Sequence, residues 1–258
     1  LLDLQTCDLV VELGAGPGTL TKRLAEVAGK VVAIEIDPKF KPLHQELFAP
    51  MKTPPSIVYE DALDVDYESF TNSNNGRLIV FGNLPYYLTT ELILMTLNRL
   101  PDLSQALFMV EQGVTERLLA QPGTKKYGTL AIATNLFGTW KLERTVSRTA
   151  FFPKPNVTSA LLSLNPGSNA SERAVASDRA FHRFLVGLMQ YRRKTLPNAL
   201  TLSGAWTDSS LPKVTYDIFI EEHNLSSDVR AEQLSPVQLA ALYLAVCPVC
   251  QNKTNSVE

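Results

Sequence analysis

The chain has 258 residues, a hydrophobic content of 45% and a formal net charge of −2. This length accommodates one large α/β domain with a smaller second one, and the apolar content excludes a disordered protein. No apolar stretch reaches membrane-spanning length and no signal segment opens the chain, so a cytoplasmic protein without a membrane partner is expected. The net charge does not by itself indicate a nucleic-acid binder, although a local basic patch remains compatible with it.

The two ends of the chain carry little information. The first residue is Leu1 and the first strand is predicted to begin near Cys7, so an amino-terminal segment is expected to be missing. Near the other end, Cys247 and Cys250 have the spacing of a zinc or redox pair. A single pair with no second ligand pair is interpreted as incidental, so no metal is expected.

The first half of the chain alternates strands with helices. Strands are predicted at 8–13, 30–36, 57–60, 78–82 and 106–110. Helices are predicted at about 19–27, from Asp37-Pro38 onward, at 89–100 and at 114–120. Strands separated by helices imply βαβ units and a mainly parallel sheet.

The second half changes in character. Two strands, at 140–147 and 157–164, are predicted to form an antiparallel hairpin at a sheet edge. A linker is predicted at 165–169, and the helical patterns that follow lie near 180–189, 193–202 and 236–246. The sequence therefore predicts an α/β domain at 1–164 and a small helical domain at 165–258.

A glycine-rich turn follows the first strand. Gly14, Gly16 and Gly18 let the backbone pass close to a ligand, and the helix that follows offers free N–H groups, although the spacing departs from the dinucleotide fingerprint. Glu35 closes the second strand, where a carboxylate can accept hydrogen bonds from both ribose hydroxyls. Asp61, after the third strand, could accept from an adenine amino group or could cap a helix. Together these residues indicate an adenosine-containing cofactor.

The segment Asn83-Leu84-Pro85-Tyr86 decides which chemistry is expected. Pro85 must end the fourth strand, so Asn83 and Tyr86 are presented at its carboxyl end, where open α/β sheets bind ligands. An amide, a rigid turn and an aromatic face suit a planar base held by its exocyclic amino group, which suggests methyl transfer to an adenine nitrogen. Neither hydride nor phosphoryl transfer needs this segment, and the chain has no Walker-type phosphate loop.

With these motifs the chain resembles the ribosomal RNA adenine N6-dimethyltransferases of the KsgA type. The matching stretches lie at 11–21, 34–37, 61–63, 82–87, 127–130, 151–160, 190–196 and 230–235. The resemblance implies S-adenosylmethionine as cofactor and a Rossmann-like class I methyltransferase with a mainly parallel seven-stranded sheet. Family members also carry a Gln-Asn/His-Phe-Leu motif upstream of the first strand, and this chain begins after that point.

The resemblance also implies roles for individual residues. Gly14 and Gly16 would line the cofactor, Glu35 would hold its ribose and Asp61 its adenine. Asn83 would face both the methyl donor and the target nitrogen.

The remaining implied roles concern the target base. The Leu84 carbonyl would share the amino group with Asn83, on the turn that Pro85 makes rigid. Tyr86 and Phe151 would be the aromatic faces around a flipped adenine.

The substrate implied by the resemblance is RNA. The candidate phosphate-binding residues are Arg192, Arg193, Lys194, Lys125 and Lys126. The three histidines, His44, His182 and His223, lie outside all motifs and are interpreted as surface or packing residues.

The expected function is dimethylation of two adjacent adenines in small-subunit (16S) rRNA, within a 30S pre-ribosomal particle and by a monomer. The alternatives are an erythromycin-resistance-type methylase of 23S rRNA, a DNA adenine methylase, and a ribosome-assembly factor with little turnover.

Overall fold

The computed structural model describes residues 1–70, 76–151, 156–205 and 213–246, with side chains from 216 on in the last range. The chain divides into two compact units. The first combines Leu1–Thr115 with Thr139–Pro166, and the second combines Glu116–Gly138 with Gly167–Glu258. Cys247 and Cys250 lie outside the described residues.

The first unit is built on a seven-stranded sheet. Its strands are β1 (Leu9–Leu13), β2 (Lys30–Ile34), β3 (Ser56–Val58), β4 (Leu78–Asn83), β5 (Leu103–Glu111), β6 (Gly138–Val146) and β7 (Ser159–Pro166). Their order across the sheet is β3-β2-β1-β4-β5-β7-β6. The first five strands pair in parallel, and β7 runs antiparallel to β5. The predicted fold class, a Rossmann-like and mainly parallel sheet, is confirmed.

Helices connect and follow these strands. The described residues form α1 (Thr19–Ala25), α2 (Lys41–Phe48), α3 (Thr89–Arg99), α4 (Gln112–Leu118), α5 (Thr129–Asn135), α6 (Ala170–Ser177), α7 (Arg179–Gln190), α8 (Leu196–Leu202), α9 (Lys213–Glu222) and α10 (Pro236–Val246). Short 3₁₀ turns lie at Pro38–Phe40, Tyr67–Ser69, Arg148–Ala150 and Ala231–Gln233. Within the described residues, no helix has both the length and the apolar character that a bilayer crossing requires.

The central strands read as continuous apolar runs because they are buried on both faces of the sheet. All five residues of β1 are buried, and so are the first five of β4. β5 begins at Leu103, three residues before the predicted start, and β3 is shorter than predicted and ends at Val58. Both differences lie at strand ends, where the apolar pattern alone sets no boundary.

Three segments without a predicted helix are helical, namely α5, α6 and α9. The helix α5 begins after Gly128 and is almost entirely buried, so it lacks the alternation of apolar and polar faces that identifies a surface helix. The helix α6 follows the predicted linker, and Asn169 at the end of that linker is its N-cap. The Asn169 side chain accepts from the backbone N–H groups of Ser171 and Glu172.

The division into units differs from a single boundary after residue 164. Residues 116–138 belong to the second unit because contacts distant in sequence hold them there. The buried Tyr127 donates its hydroxyl hydrogen to the carbonyl oxygen of Leu234 at 2.8 Å. The Gly123 N–H donates to the carbonyl of Glu232 at 2.6 Å. Such pairings, more than a hundred residues apart, leave no trace in local sequence patterns.

The helix predicted at 193–202 begins later, at Leu196. Proline is favoured in the first turn of a helix, and Pro197 occupies such a position here. The Lys194 N–H donates to the Tyr191 carbonyl at 2.8 Å and closes a turn before the helix. The basic triplet Arg192–Lys194 therefore lies in a turn between α7 and α8.

At the amino ends of β1 and β4 a partly buried ion pair ties the sheet together. The Asp8 carboxylate is 1% exposed and accepts from Nη2 of Arg77 at 2.7 Å. The same carboxylate accepts from the backbone N–H groups of Gln5 and Arg77. Nη2 of Arg77 also donates to the carbonyl of Asp3 at 2.6 Å, so this one guanidinium anchors the first residues of the chain.

Candidate active site

The order of the strands places a crevice between β1 and β4. From β1 the chain proceeds outward through β2 to β3, and it then returns to the other side of β1 to form β4 and β5. Leu13 at the end of β1 pairs in register with Gly82 near the end of β4. In open α/β sheets ligands bind at the carboxyl ends of strands at such a reversal point. The residues that follow β1 and β4 therefore form the candidate site.

The glycine turn lines one side of this crevice. A Cβ atom added to Gly14 would lie 3.9 Å from the backbone oxygen of Asn83, so the turn and the end of β4 are close neighbours. Gly16 has a φ of +53°, and a Cβ atom added there would meet nothing within 4 Å. Gly16 therefore combines a backbone conformation that favours glycine with open space above it, as a loop that admits a ligand requires.

Glu35 lies against the glycine turn, as predicted for a residue that closes β2. Its Oε2 accepts from the Gly16 N–H at 2.6 Å and its Oε1 accepts from the Asp37 N–H at 2.8 Å. The carboxylate is thus held in one orientation by backbone groups. Asp61 follows β3, and its Oδ1 accepts from the Leu63 N–H at 2.9 Å.

The predicted base-binding segment begins at the last residue of β4. The Asn83 side chain is exposed, whereas Leu84 is buried and donates its N–H to the Met109 carbonyl at 3.1 Å. The Pro85 carbonyl accepts from the Leu88 N–H at 3.1 Å and from the Thr89 hydroxyl at 2.9 Å, which fixes the turn before α3. The structure therefore holds Asn83 on a rigid support at the mouth of the crevice.

The two predicted aromatic residues have different settings. Tyr86 is 42% exposed, and its hydroxyl lies 3.2 Å from the Ser159 hydroxyl at the start of β7. Phe151 is half-buried and follows the 3₁₀ turn Arg148–Ala150. The structure brings together the glycine turn, Glu35 and Asn83. The pairing of Tyr86 and Phe151 around a base stays a prediction.

Glu12 is a candidate functional residue that the sequence analysis missed. It is the fourth residue of β1, is 1% exposed, and its Oε2 has no hydrogen-bond partner. The pKa of Glu12 is raised from 4.5 to about 7, and burial is the main cause. The Thr21 hydroxyl acts in the opposite direction and lowers this pKa, although it makes no hydrogen bond of regular geometry with Oε2. The negative charge of Glu35 raises the pKa further. An acidic residue inside an otherwise apolar buried strand was the signal that could have identified it.

His44 is the second residue that the sequence analysis missed. It was interpreted as a surface or packing residue, but its buried imidazole bridges two polar groups. Nδ1 lies 2.7 Å from the Tyr59 hydroxyl and Nε2 lies 2.8 Å from the Gly16 carbonyl oxygen. No motif marks a single histidine on a short helix, so the sequence alone gave no signal for this role.

The basic residues predicted to contact RNA all lie in the second unit, and they divide into two groups. Arg192 donates to the carbonyls of Tyr127 at 2.8 Å and Lys125 at 3.0 Å, and it pairs with Glu232 at 3.3 Å. These partners hold the guanidinium against the backbone of its own unit, and the contact of Arg192 with RNA phosphates stays a prediction.

The other four basic side chains are exposed. Lys126 forms an exposed ion pair with Glu116, and such pairs are weak. Arg193, Lys194 and Lys125 are also exposed.

A mainly parallel sheet with a glycine turn and an acidic strand end beside its reversal point is typical of Rossmann-like enzymes that bind an adenosine-containing cofactor. Comparison with solved structures agrees for the fold. A dimethyladenosine transferase from Plasmodium falciparum matches with a TM-score of 0.74 and 22% identity, covering 97% of this chain and 92% of the other. The 23S rRNA methyltransferase ErmE matches with a TM-score of 0.65 and 20% identity, covering 95% and 93%.

Sequence comparison gives the particular family. The family model described as "Ribosomal RNA adenine dimethylase" matches residues 1–237, and the chain belongs to this family. A "Ribosomal RNA small subunit methyltransferase A" from Halothermothrix orenii is 33% identical, over 93% of this chain and 79% of the relative. A protein of the same name from Streptococcus pneumoniae serotype 2 is 35% identical, over 90% and 80%. The predicted family is thereby confirmed, and with it the prediction that the chain is an enzyme.

Proposed function

We propose that this chain transfers methyl groups from S-adenosylmethionine to N6 of two adjacent adenosines in small-subunit ribosomal RNA. The observation that carries the proposal is the exposed Asn83 side chain on a rigid turn, directly beside the glycine turn at the reversal point of the sheet. The small-subunit substrate is proposed from the name shared by relatives that are 33–35% identical.

The glycine turn and its neighbours fit this cofactor. The open space above Gly16 admits a ligand where any side chain would intrude. Glu35 and Asp61 follow the adjacent strands β2 and β3, where they would accept hydrogen bonds from the ribose hydroxyls and the adenine amino group. When bound, S-adenosylmethionine supplies a methyl group made electrophilic by its sulfonium.

The residues at the end of β4 would prepare the acceptor. The N6 lone pair of adenine is delocalised into the ring and is a poor nucleophile. Hydrogen bonds from the two N6 hydrogens to Oδ1 of Asn83 and to the Leu84 carbonyl would localise that lone pair and orient it. A neutral amide suffices because the amino proton becomes acidic only as the new N–C bond forms. This is positioning together with preorganised electrostatics.

The target base would have to leave its stack to reach this position. Tyr86, three residues after Asn83, offers a half-exposed ring, and stacking on such a ring contributes about 1–3 kcal/mol. Phe151 is proposed as a second aromatic face. The substrate RNA would bind to the second unit through phosphate contacts of the exposed Arg193, Lys194 and Lys125.

Transfer of tritiated methyl groups tests the proposal directly. The protein is incubated with labelled cofactor and with 30S particles, 50S particles, 23S RNA or duplex DNA in parallel. We expect labelled N6,N6-dimethyladenosine only in the small-subunit RNA of 30S particles. Labelling confined to 23S RNA would assign the erythromycin-resistance-type activity instead, and labelling of DNA would assign a DNA methylase.

A ribosome-assembly factor with little turnover would give a different result. Such a protein would bind immature 30S particles and would support their maturation with Asn83 replaced by alanine. If that variant matured subunits normally while incorporating no label, binding would be the principal role.

A further inference from the structure

We propose that His44 is a positioning residue that fixes the glycine turn in its cofactor-binding conformation. Both polar groups of the Gly16 backbone are hydrogen-bonded. The Gly16 N–H donates to Glu35 at 2.6 Å, and the Gly16 carbonyl lies 2.8 Å from Nε2 of His44. The residue with open space above it is therefore held on both sides, by one group from β2 and one from α2.

The hydrogen bond to Gly16 places a hydrogen on Nε2 of His44. A carbonyl oxygen only accepts, so Nε2 must carry the hydrogen that is donated to Gly16. Nδ1 is hydrogen-bonded to the Tyr59 hydroxyl, 2.7 Å away. Tyr59 follows β3, so a chain of hydrogen bonds runs from β3 through α2 to the glycine turn.

Aromatic packing holds the imidazole in place. His44 is 2% exposed and stacks with Phe40, Phe48 and Tyr59, with ring centroids 5.5–5.9 Å apart. The Nζ of Lys41 lies over the Tyr59 ring, 4.8 Å from its centroid.

The other side of the imidazole meets the glycine turn. A Cβ atom added to Gly18 would lie 3.0 Å from Cδ2 of His44 and 2.9 Å from Cζ of Phe48. The ring is thus wedged between a tight turn and an aromatic cluster, and it has no room to rotate away from the Gly16 carbonyl.

This arrangement has a consequence for ligand binding. Glycine has more accessible backbone conformations than any other residue, so a turn with three glycines loses much conformational entropy when it is ordered around a ligand. A turn ordered in advance avoids that loss on binding. Without the His44 hydrogen bond, the free turn would sample other conformations and the cofactor would bind more weakly, while the base-binding segment at the end of β4 would be unaffected.

Three variants test this role, which rests on the proposed function because it concerns the binding of S-adenosylmethionine. His44→Phe keeps the aromatic packing and removes the donor, whereas His44→Gln restores an N–H donor. His182→Phe is the matched control, because Nε2 of His182 also lies 2.9 Å from a backbone carbonyl, that of Ala176, in the other unit. Calorimetric titration with S-adenosylhomocysteine measures affinity without turnover.

We expect His44→Phe to raise the dissociation constant about tenfold, as the loss of one hydrogen bond predicts. His44→Gln should recover part of that loss and His182→Phe should change nothing. In turnover experiments the KM for the cofactor should rise in His44→Phe, while kcat and the KM for RNA stay within about twofold. Equal affinity of His44→Phe and the unchanged protein would overturn the inference.

Two measurements remain decisive without any ligand. Long-range ¹H–¹⁵N spectra of the unchanged protein should show a hydrogen on Nε2 of His44, and a ring that carries its hydrogen on Nδ1 alone would contradict the hydrogen bond to Gly16. Hydrogen exchange of the 14–18 segment should be faster in His44→Phe than in His182→Phe. If the unchanged protein bound no cofactor, the proposed function would fail, and unaltered exchange in His44→Phe would separately refute the role of His44.

Discussion

The two ends of the parallel sheet treat polar groups in opposite ways. At the amino ends of β1 and β4, the buried Asp8 carboxylate is satisfied by Arg77 and by backbone N–H groups. At the carboxyl ends of the same two strands, the Asn83 side chain is exposed and Oε2 of Glu12 is buried without a partner. One end uses its polar groups for stability, and the other keeps them available. Stability and function are therefore separable by substitution at the two ends of one pair of strands.

The largest expected effect lies at the carboxyl end. Replacing Asn83 with alanine should lower kcat for methyl transfer by about 10²–10³-fold, the typical cost of removing one preorganised polar group from an active site. The unfolding free energy should not change, because the side chain is exposed. Asn98→Ala is the control, since Asn98 is an exposed asparagine on α3. A kcat within threefold of the unchanged protein would remove Asn83 from the mechanism.

The reverse result is expected at the amino end. Asp8→Asn should lower the unfolding free energy by about 2–4 kcal/mol, toward the smaller value because the Arg77 side chain is 39% exposed. The exposed helix cap Asp66→Asn is the control, because asparagine caps equally well. Urea unfolding measures the unfolding free energy of both variants. The kcat of Asp8→Asn, measured well below the unfolding midpoint, should stay unchanged. Equal stability of the two variants would show that the ion pair contributes nothing.

The contribution of Asp8 to the free energy of unfolding should decrease in acid. Burial raises the pKa of Asp8, but the hydrogen bonds from Arg77 and Gln5 outweigh burial and lower this pKa below its ordinary value of 3.8. The stabilisation is therefore complete above pH 3.8 and is lost as the pH falls through the lower, folded-state pKa. Acid unfolding of Asp8→Asn should lack this component.

Glu12 should show the opposite pH dependence. Its pKa is raised from 4.5 to about 7, so its protonated form favours the folded state. Between pH 4.5 and 7 the unfolded chain releases this proton while the folded chain keeps it, and stability falls by on the order of 3 kcal/mol as the pH rises. Glu12→Gln should abolish that slope in urea unfolding measured from pH 4.5 to 7.5. An unaltered slope would mean that another group causes it.

A smaller effect is expected for the base-stacking face. Tyr86→Ala should raise the KM for RNA by about 5- to 150-fold, corresponding to about 1–3 kcal/mol of stacking. Tyr86→Phe keeps the ring and loses only the 3.2 Å contact with Ser159, so its KM should stay near that of the unchanged protein. If Tyr86→Phe raised the KM for RNA as much as Tyr86→Ala, the hydroxyl and not the ring would be the functional group. An unchanged KM in Tyr86→Ala would exclude stacking on this ring.

The smallest expected effect concerns the second unit, where the same contrast between satisfied and available groups recurs. Arg193→Gln should weaken RNA binding severalfold and lower the slope of log affinity against log salt by about 1. Arg192→Gln should instead lower the unfolding free energy, because Arg192 binds two backbone carbonyls and Glu232. Filter binding of RNA at several salt concentrations distinguishes the two variants. An unchanged slope of log affinity against log salt in Arg193→Gln would exclude a phosphate contact of Arg193.

The sequence predicted what depends on local pattern. The apolar runs located β1, β2 and β4, and residues at their carboxyl ends, such as Glu35 and Asn83, lie at one edge of the sheet as the parallel topology requires. It could not predict the internal contacts of Arg192, whose carbonyl partner Tyr127 is 65 residues away. The role of His44 depends on a contact across 28 residues, and an imidazole in a buried cluster has no spacing rule.

The passage of the chain through its two units limits how the protein can be divided. Residues 116–138 leave the sheet-containing unit and join the second one before β6 and β7 are formed. A fragment cut after residue 166 would keep those 23 residues and lose the helices that cover Tyr127 and Leu130, so it would expose an apolar surface and aggregate. The second unit is therefore formed by two separate segments of the chain and cannot be exchanged as one continuous segment. Transferring it between relatives requires two junctions, near 116 and 138, in addition to the one near 167.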